Sequence, residues 1–357
     1  MSKKPLILGI ESSCDETAAS LITENEQGIP VILCKVVSSQ IEVHKEFGGV
    51  VPELAARSHI EKIDWIVQKA IDDSGKKIEE IDAVASTAGP GLVVCLSVGL
   101  SFGKAFASTL NKPFIAVNHL EGHALSPKLD AKLEYPYLLL LISGGHTQFL
   151  NVHNLGEYKR LGTTIDDALG EAFDKTAKLL GIEFPGGPQI EILAKRGNED
   201  KYFLPKPIFN KGGCNLSFAG LKTAILKIAK NIKTDQEKFD LAASFQKTIN
   251  EILYVKSKIA MEQFSKNRKN KKNIFVIAGG VASNLTIRKN LNDLAKEKGF
   301  IPVFPPINLC SDNAAMIAWA GIERFKINLT NDLNFPTKAR WPLDEKAPFL
   351  KGPGVKI

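Results

Sequence analysis

One order of secondary structure occurs twice along this chain, and any fold has to accommodate that repetition. Residues 6–10 form a short apolar run ending in the small polar stretch Glu11-Ser12-Ser13-Cys14-Asp15-Glu16-Thr17; 18–23 then reads as a returning strand and 31–37 as a third. Leu54, Ile60, Ile63, Ile66, Val67 and Ala70 keep helical spacing and predict a helix over 52–73. A strand at 81–85, the turn Ala88-Gly89-Pro90-Gly91, a helix over 92–110, a strand at 114–117 and a helix opening at His119 complete the order βββαβαβα.

The order restarts after Tyr135-Pro136, with a strand at 137–142, the turn Ser143-Gly144-Gly145, strands at 146–152 and 158–163, and a helix over 166–180. About ninety residues without counterpart follow, with helices predicted near 188–195, 218–231 and 235–264. A strand at 274–278, a helix at 284–298, a strand at 302–304 and a helix at 311–325 resume the pattern. Internal duplication of an α/β unit is the economical account, and such a chain is expected to hold its ligand where turns from both halves converge. Ser12-Ser13, Ser143-Gly144-Gly145 and Gly279-Gly280 all follow apolar strands, where small residues let backbone N–H groups approach an anion. Each alone is also an ordinary turn. No Gly-Lys-Ser/Thr follows a four-residue spacer, which excludes a P-loop.

Asn118-His119-Leu120-Glu121-Gly122-His123 carries the most pointed chemistry. Four residues of helix turn through about 400°, so the two imidazoles project from one face, one turn apart, at metal-ligand spacing. The strand before them makes Asn118 the N-cap and puts His119 in the first turn. Glu121 points about 200° away from His119, so this is not the His-Glu-x-x-His arrangement of a metalloprotease, whose base adjoins the first histidine. Two imidazoles still need a carboxylate and an open position. Asp312, at the end of the loop 305–313 and the start of a helix, holds in the second half the place His119 holds in the first, and is the expected third ligand facing the histidines from the other half. Spacing alone also fits an ordinary helix-start acid.

Asp167, Glu171 and Asp174 fall at i, i+4 and i+7, a face that like-charge repulsion disfavours unless a ligand or cation lies near or the face is solvated. Pro185-Gly186-Gly187-Pro188 reads as a rigid turn able to pack against a nucleoside, with Glu191 in the first turn of the next helix.

Composition narrows the class. The five cysteines are odd in number and never form a Cys-x-x-Cys pair, so neither a disulfide framework nor a thiolate zinc cage is indicated, and a reducing compartment is expected. No run of 18 apolar residues and no room for a cleaved signal predict a cytoplasmic protein with no membrane association. A net charge of +7 suggests a polyanionic partner, and the basic runs at 256–272, 338–340 and 346–356 are either solvated faces or tracks for a nucleic-acid backbone.

Together these motifs resemble the bacterial tRNA threonylcarbamoyladenosine transferase family (TsaD), related to the catalytic subunit of the KEOPS complex. The resemblance runs nearly the whole length, through Gly9 to Thr17, Phe47 to Glu53, Gly89-Pro90-Gly91, His119 to His123, Ser143 to Thr147, Asp166 to Asp174, Pro185 to Pro188, Phe218 to Lys222, Gly279 to Asn284 and Ser311-Asp312-Asn313. It implies an α/β protein with the duplicated actin-like, Hsp70-like ATPase (ASKHA) fold, built of two ribonuclease-H-like units. The first would span 1–134 and carry His119 and His123; the second would span 135–326 with a helical insertion at about 182–272; a basic, proline-rich segment over 327–357 would follow.

By the same resemblance, His119, His123 and Asp312 hold one divalent metal per subunit, Fe2+ or Zn2+, and Leu141, Ile142, Ser143, Gly144, Gly145, Asp174, Gly187, Glu191 and Asn284 bind the adenylate. The implied reaction moves a threonylcarbamoyl group from threonylcarbamoyl-adenylate to the exocyclic amine of the adenosine 3′ of the anticodon in tRNAs reading codons that begin with adenine, and AMP leaves. Glu11 is the candidate for proton handling at that amine, with His146 its competitor. Expected partners are tRNA, a paralogous TsaB-like subunit docking on helices of the first unit, and a TsaE-like small ATPase. The alternatives are a kinase or chaperone on the same fold, which has no use for the histidine pair; a metalloprotease (glycoprotease), for which Glu121 is misplaced; and a non-catalytic ATP-binding scaffold of a tRNA-modifying complex, which would tolerate loss of the ligands.

Overall fold

The computed structural model describes residues 4–266, 268 and 272–348. They form two compact units, one within Met1–Leu133 and Pro305–Glu345, the other within Glu134–Phe304 and Lys346–Ile357. Residues 267, 269–271 and 349–357, which carry part of two of the basic runs, lie outside the described residues.

In unit 1 the strands are β1 (Ile7–Glu11), β2 (Glu16–Glu24), β3 (Pro30–Ser39), β4 (Ala83–Gly89) and β5 (Phe114–Asn118), with helices α1 (Ile41–Lys45), α2 (Pro52–Ser74), α3 (Val93–Thr109) and α4 (His119–Leu125). The sheet runs β3-β2-β1-β4-β5, antiparallel across its first two pairs and parallel across the last two. Apolar β1 and β4 are buried along their whole length, as strands covered on both faces must be. The α2 stripe of Ile63, Ile66, Val67 and Ala70 packs with Leu8, Ile10, Ala19 and Leu21, whereas Ile60, expected in that stripe, is 64% exposed.

Unit 2 contains β6 (Tyr137–Ile142), β7 (Thr147–Asn154), β8 (Glu157–Thr163), β9 (Asn273–Ala278) and β10 (Phe300–Val303), with α5 (Leu169–Leu179), α6 (Gly186–Ala194), α7 (Ala219–Ala229), α8 (Asp235–Ser265) and α9 (Leu285–Glu297). Its order β8-β7-β6-β9-β10, with the same succession of antiparallel and parallel pairs, repeats the first sheet. The duplication is therefore one of topology as well as of pattern.

The last helix, α10 (Ala314–Lys326), departs from the expected boundary. The sequence reading ran the second unit to 326, but residues 305–345 belong with the first. Residues Ala314 to Ile322 of α10 are all buried, so the helix needs cover on several sides. It lies so close to β1 that a Cβ on Gly9 would stand 2.4 Å from the Ala314 carbonyl oxygen. The segment after it is also tied down: Asn331 N–H donates to Phe114 O at 2.8 Å, Lys338 N–H donates to Ala88 O at 2.7 Å, and Phe335 and Trp341 pack on the unit 1 core.

Candidate metal centre

The Asn118 side chain accepts a hydrogen bond from Leu120 N–H at 2.9 Å, which stops β5 and starts α4 at His119. His119 and His123 then lie a turn apart, their rings edge to face with 4.7 Å between centroids and 88° between planes. Gly122 between them faces α10, and a Cβ there would come within 3.0 Å of Ile317 Cδ1. Asn313 caps α10 by accepting from Met316 N–H at 3.0 Å, which leaves Asp312 on the turn just before the helix. Asp312 Oδ1 stands 3.0 Å from His123 Nε2 and 3.4 Å from His119 Nε2. The three donor atoms lie within 4.8 Å of one another.

Asp312 thus meets the histidines within unit 1, not from an opposite half as the duplication suggested. The reason is the return of α10 to the first sheet.

Behind His119 stands a group that orients it. His119 Nδ1 is 3.0 Å from Glu11 Oε2 and 3.2 Å from Ser13 Oγ. The Glu11 carboxylate also accepts from Ser13 N–H at 2.6 Å and from the Thr87 hydroxyl at 2.6 Å. Nδ1 donating to a fixed carboxylate leaves the Nε2 lone pair turned toward Asp312, the arrangement by which metal-binding histidines are held.

The charges match a cation. Burial pushes the Asp312 carboxyl up, but the imidazoles of His119 and His123 outweigh it and hold the group well below the ordinary carboxylate range. Burial likewise opposes charge on His119, and Asp312 and Glu11 reverse that, raising it well above an ordinary imidazole. Burial, then Asp312 and Asp15, push Glu16 well up. So many acids around two imidazoles favour a positive ion, and an ion at Nε2 would displace the His119 proton. The donor set of two imidazoles and a carboxylate fits a divalent transition metal. Burial, then Asp15 and Asp312, push the Cys14 thiol up, so it does not offer a thiolate.

Glu121 is buried and ion-paired to Arg324 of α10. Its carboxylate supports α4 against α10.

His59 of α2 holds the β1–β2 turn in place. Its Nε2 lies 3.0 Å from Cys14 O and its Nδ1 2.7 Å from Thr17 Oγ1. The first nitrogen donates to the carbonyl and the second accepts from the hydroxyl, which is the neutral ring. Burial holds this imidazole below its ordinary value. A folded-state value below the unfolded one means that the unfolded chain binds more protons in the interval, so the His59 contribution is complete above about pH 6.5 and is lost as pH falls below it. His59→Gln is expected to flatten the fall in thermal midpoint between about pH 7 and 5; an unchanged slope in melting curves counts against the assignment.

In unit 2 the expected adenylate residues divide. Leu141 and Ile142 are fully buried, so only their backbone can meet a ligand. Ser143 forms a tight turn, its N–H donating to His146 O at 2.8 Å and its Oγ accepting from His146 N–H at 3.2 Å. Gly144, Gly145 and Gly187 have open space where a Cβ would be. Asp174 accepts from Gly186 N–H at 2.8 Å, and Gly186 and Gly187 are the opening of α6 instead of a free turn. Asn284 Oδ1 accepts from Ile287 N–H at 2.9 Å, and its Nδ2 donates to Gln246 at 2.9 Å. Glu191 accepts from Leu285 N–H at 2.9 Å, so these two side chains cap the start of α9. The acidic face is neutralised from within: Lys175 pairs with Asp167 at 2.8 Å and Glu171 at 2.7 Å, and Asp167 precedes the helix.

Sequence reasoning missed Ser13, Thr87, His59 and Arg324. Ser13 lay inside a marked turn; the other three sit on separate elements, with no spacing that links them to the histidines.

A duplicated α/β fold in which two buried histidines meet an aspartate marks the class as one with a candidate metal centre on an actin-like scaffold. The sequence profile of the family described as tRNA N6-adenosine threonylcarbamoyltransferase (TsaD) matches residues 31–319. The chain belongs to that family, and its class is that of a transferase. It is 74% identical over 357 residues, all of both chains, to the tRNA N6-adenosine threonylcarbamoyltransferase of Pelagibacter ubique. It is 53% identical over 343 residues, 95% of this chain and 98% of the relative, to the enzyme of that name in Rickettsia rickettsii. Among solved structures, the fold is similar to HypF of T. kodakarensis, with TM-score 0.60 at 14% identity over 90% of this chain and 48% of that one. Among the described residues, no helix is long and apolar enough to cross a membrane.

Proposed function

We propose that this transferase moves the threonylcarbamoyl group of threonylcarbamoyl-adenylate onto the exocyclic amine of the adenosine 3′ of the anticodon in tRNAs reading codons that begin with adenine, releasing AMP. The observation that carries the reading, beside family membership, is the pair of Nε2 atoms meeting Asp312 Oδ1 with Glu11 fixed behind His119. His119, His123 and Asp312 would hold one divalent ion, iron or zinc. When bound, that ion supplies charge stabilisation to substrate oxygens.

The chain's own residues do the rest by positioning. Glu11 keeps His119 in the tautomer that leaves Nε2 free; with three hydrogen bonds already accepted, it acts as a positioning residue instead of a proton acceptor. The bare backbone of Gly144, Gly145 and Gly187 receives the adenylate, while Asp174, Glu191 and Asn284 keep α6 and α9 in place around it. Proton handling at the amine then falls to His146, which follows the Ser143 turn. Ile60, Trp65, Val93 and Val94, exposed apolar side chains of α2 and α3, suit the docking of a TsaB-like paralogue, and a TsaE-like ATPase would complete a cytoplasmic assembly.

Purified chain mixed with tRNA and threonylcarbamoyl-adenylate is expected to release AMP and modify tRNA only with its partner proteins present, and to lose both activities on chelation. AMP release without acylated tRNA, or full transfer by the chelated chain, overturns the reading.

A further inference from the structure

The chain's charge is unevenly placed. Residues 195–233 carry nine lysines and arginines against two acids, which is the whole of the net +7; the remaining residues balance. That segment, the loop after α6 together with α7, lies within the insertion of unit 2. Its two acids, Glu199 and Asp200, are taken up by Lys247 of α8. Lys206 is paired with Glu251. None of Lys195, Lys211, Lys222, Lys227 and Lys230 joins an ion pair among the described residues, although all five are exposed. The contrast with α2 is direct, since Arg57 and Lys69 each have an acid four residues away, at 2.7 and 3.0 Å. On α7, Leu221 and Ile225 are buried, and Lys222, Lys227 and Lys230 share the opposite arc of about 140° with no acid among them.

A second observation comes from Phe203, whose exposure is 101%. The backbone beside it is anchored: Tyr202 N–H donates to Ser244 Oγ at 3.1 Å, and Leu204 is 5% exposed. The ring therefore stands in solvent on a pinned loop. That loop adjoins α7, because a Cβ on Gly220 would come within 3.0 Å of Pro207 Cγ. Buried Lys256 pins the neighbouring stretch by donating to Lys211 O at 2.8 Å and Gly213 O at 3.3 Å. An exposed aromatic on a fixed backbone, on a loop adjoining a helix of unpaired lysines, is what a single-stranded nucleic acid recognises: the cations neutralise phosphates and the ring stacks on a base.

We infer that the segment 195–233 of the insertion is a tRNA-docking surface, with Lys222, Lys227 and Lys230 on the phosphate backbone and Phe203 stacked on an unpaired base other than the reacting adenosine. This rests on the tRNA-modifying reading above. An acidic protein surface would satisfy the lysines too, but tRNA is the polyanion that the proposed reaction brings to this chain.

The test measures tRNA affinity at several salt concentrations, and KM and kcat for tRNA, with the full chain and its partner proteins. Lys222→Glu/Lys227→Glu/Lys230→Glu is expected to raise Kd and KM about tenfold or more at ~0.1 M salt, with kcat at saturating tRNA unchanged. The slope of log affinity against log salt should become shallower by about two to three. A Lys222→Gln/Lys227→Gln/Lys230→Gln variant should move in the same direction by less. Phe203→Ala is expected to weaken binding roughly tenfold with the slope intact, and Phe203→Trp to restore it. Unchanged affinity and slope in the lysine variants, or loss of partner-protein binding in place of tRNA binding, overturns the surface while an active wild type leaves the proposed function standing. A wild-type assembly that neither binds nor modifies tRNA overturns the functional reading, and the surface with it.

Discussion

His123→Ala is expected to leave a folded chain stripped of its divalent ion, with transfer to tRNA reduced about a hundredfold or more. His123 has no exposure to solvent, so the change removes one of the three donors from the interior of the cluster. Among the described residues, His119, His123 and Asp312 form the single cluster of ligand-type groups, so two donors alone would have to retain the ion. His119→Ala goes further, because it also leaves the Glu11 carboxylate without its imidazole. Glu11→Gln keeps the size and one acceptor but removes the charge, and should weaken metal affinity about 10- to 100-fold with a smaller loss of turnover. Elemental analysis after dialysis, together with single-turnover transfer, reads both effects and identifies the native metal. A His123→Ala chain that retains a full complement of ion and normal turnover would sink the proposed centre.

Glu121→Ala should be the most destabilising single change near the site. Its carboxylate is 1% exposed and its partner Arg324 16%, so removing Glu121 takes this carboxylate away from a largely desolvated guanidinium. Breaking such a pair costs about 3–5 kcal/mol, on the order of 10 °C in melting midpoint for a unit of this size. The consequence reaches the chemistry because Glu121 belongs to α4 and Arg324 to α10, the helices that place His119, His123 and Asp312. Glu121→Met combined with Arg324→Leu removes both charges and should recover much of the stability. A metalloprotease makes the opposite forecast, a Glu121→Gln chain of normal stability and abolished hydrolysis. A melting midpoint for Glu121→Ala within about a degree of wild type, by calorimetry, would show that the pair does not hold the helices together.

The helix carrying the histidines was legible because its signals are local: an apolar strand, an Asn cap, and imidazoles four apart. Asp312 was legible as a helix-start acid for the same reason, and the sequence also placed α2 and α3 to within a residue or two. What misled was the inference from duplication to partition. A pattern that repeats in order says nothing about which sheet its last helix returns to, and α10 returns to the first. The acidic face of α5 misled in a different way, because the cation that answers it is Lys175, four residues along the same helix from Glu171.

Local rules sufficed for the two βββαβα runs, their turns and the spacing of the histidine pair, since period, punctuation and capping depend on residues a few positions apart. The long-range meetings belonged to the tertiary structure alone. Glu11 and Thr87 reach each other because β1 and β4 are neighbours in the sheet, and Glu11 reaches His119 because β5 ends beside them. Asp312 completes the group because Gly9 and Gly122 lack the side-chain atoms that would hold α10 away. Contact across a hundred or more residues is decided by which surfaces can close without overlap, and a glycine acquires that meaning only from what is packed against it.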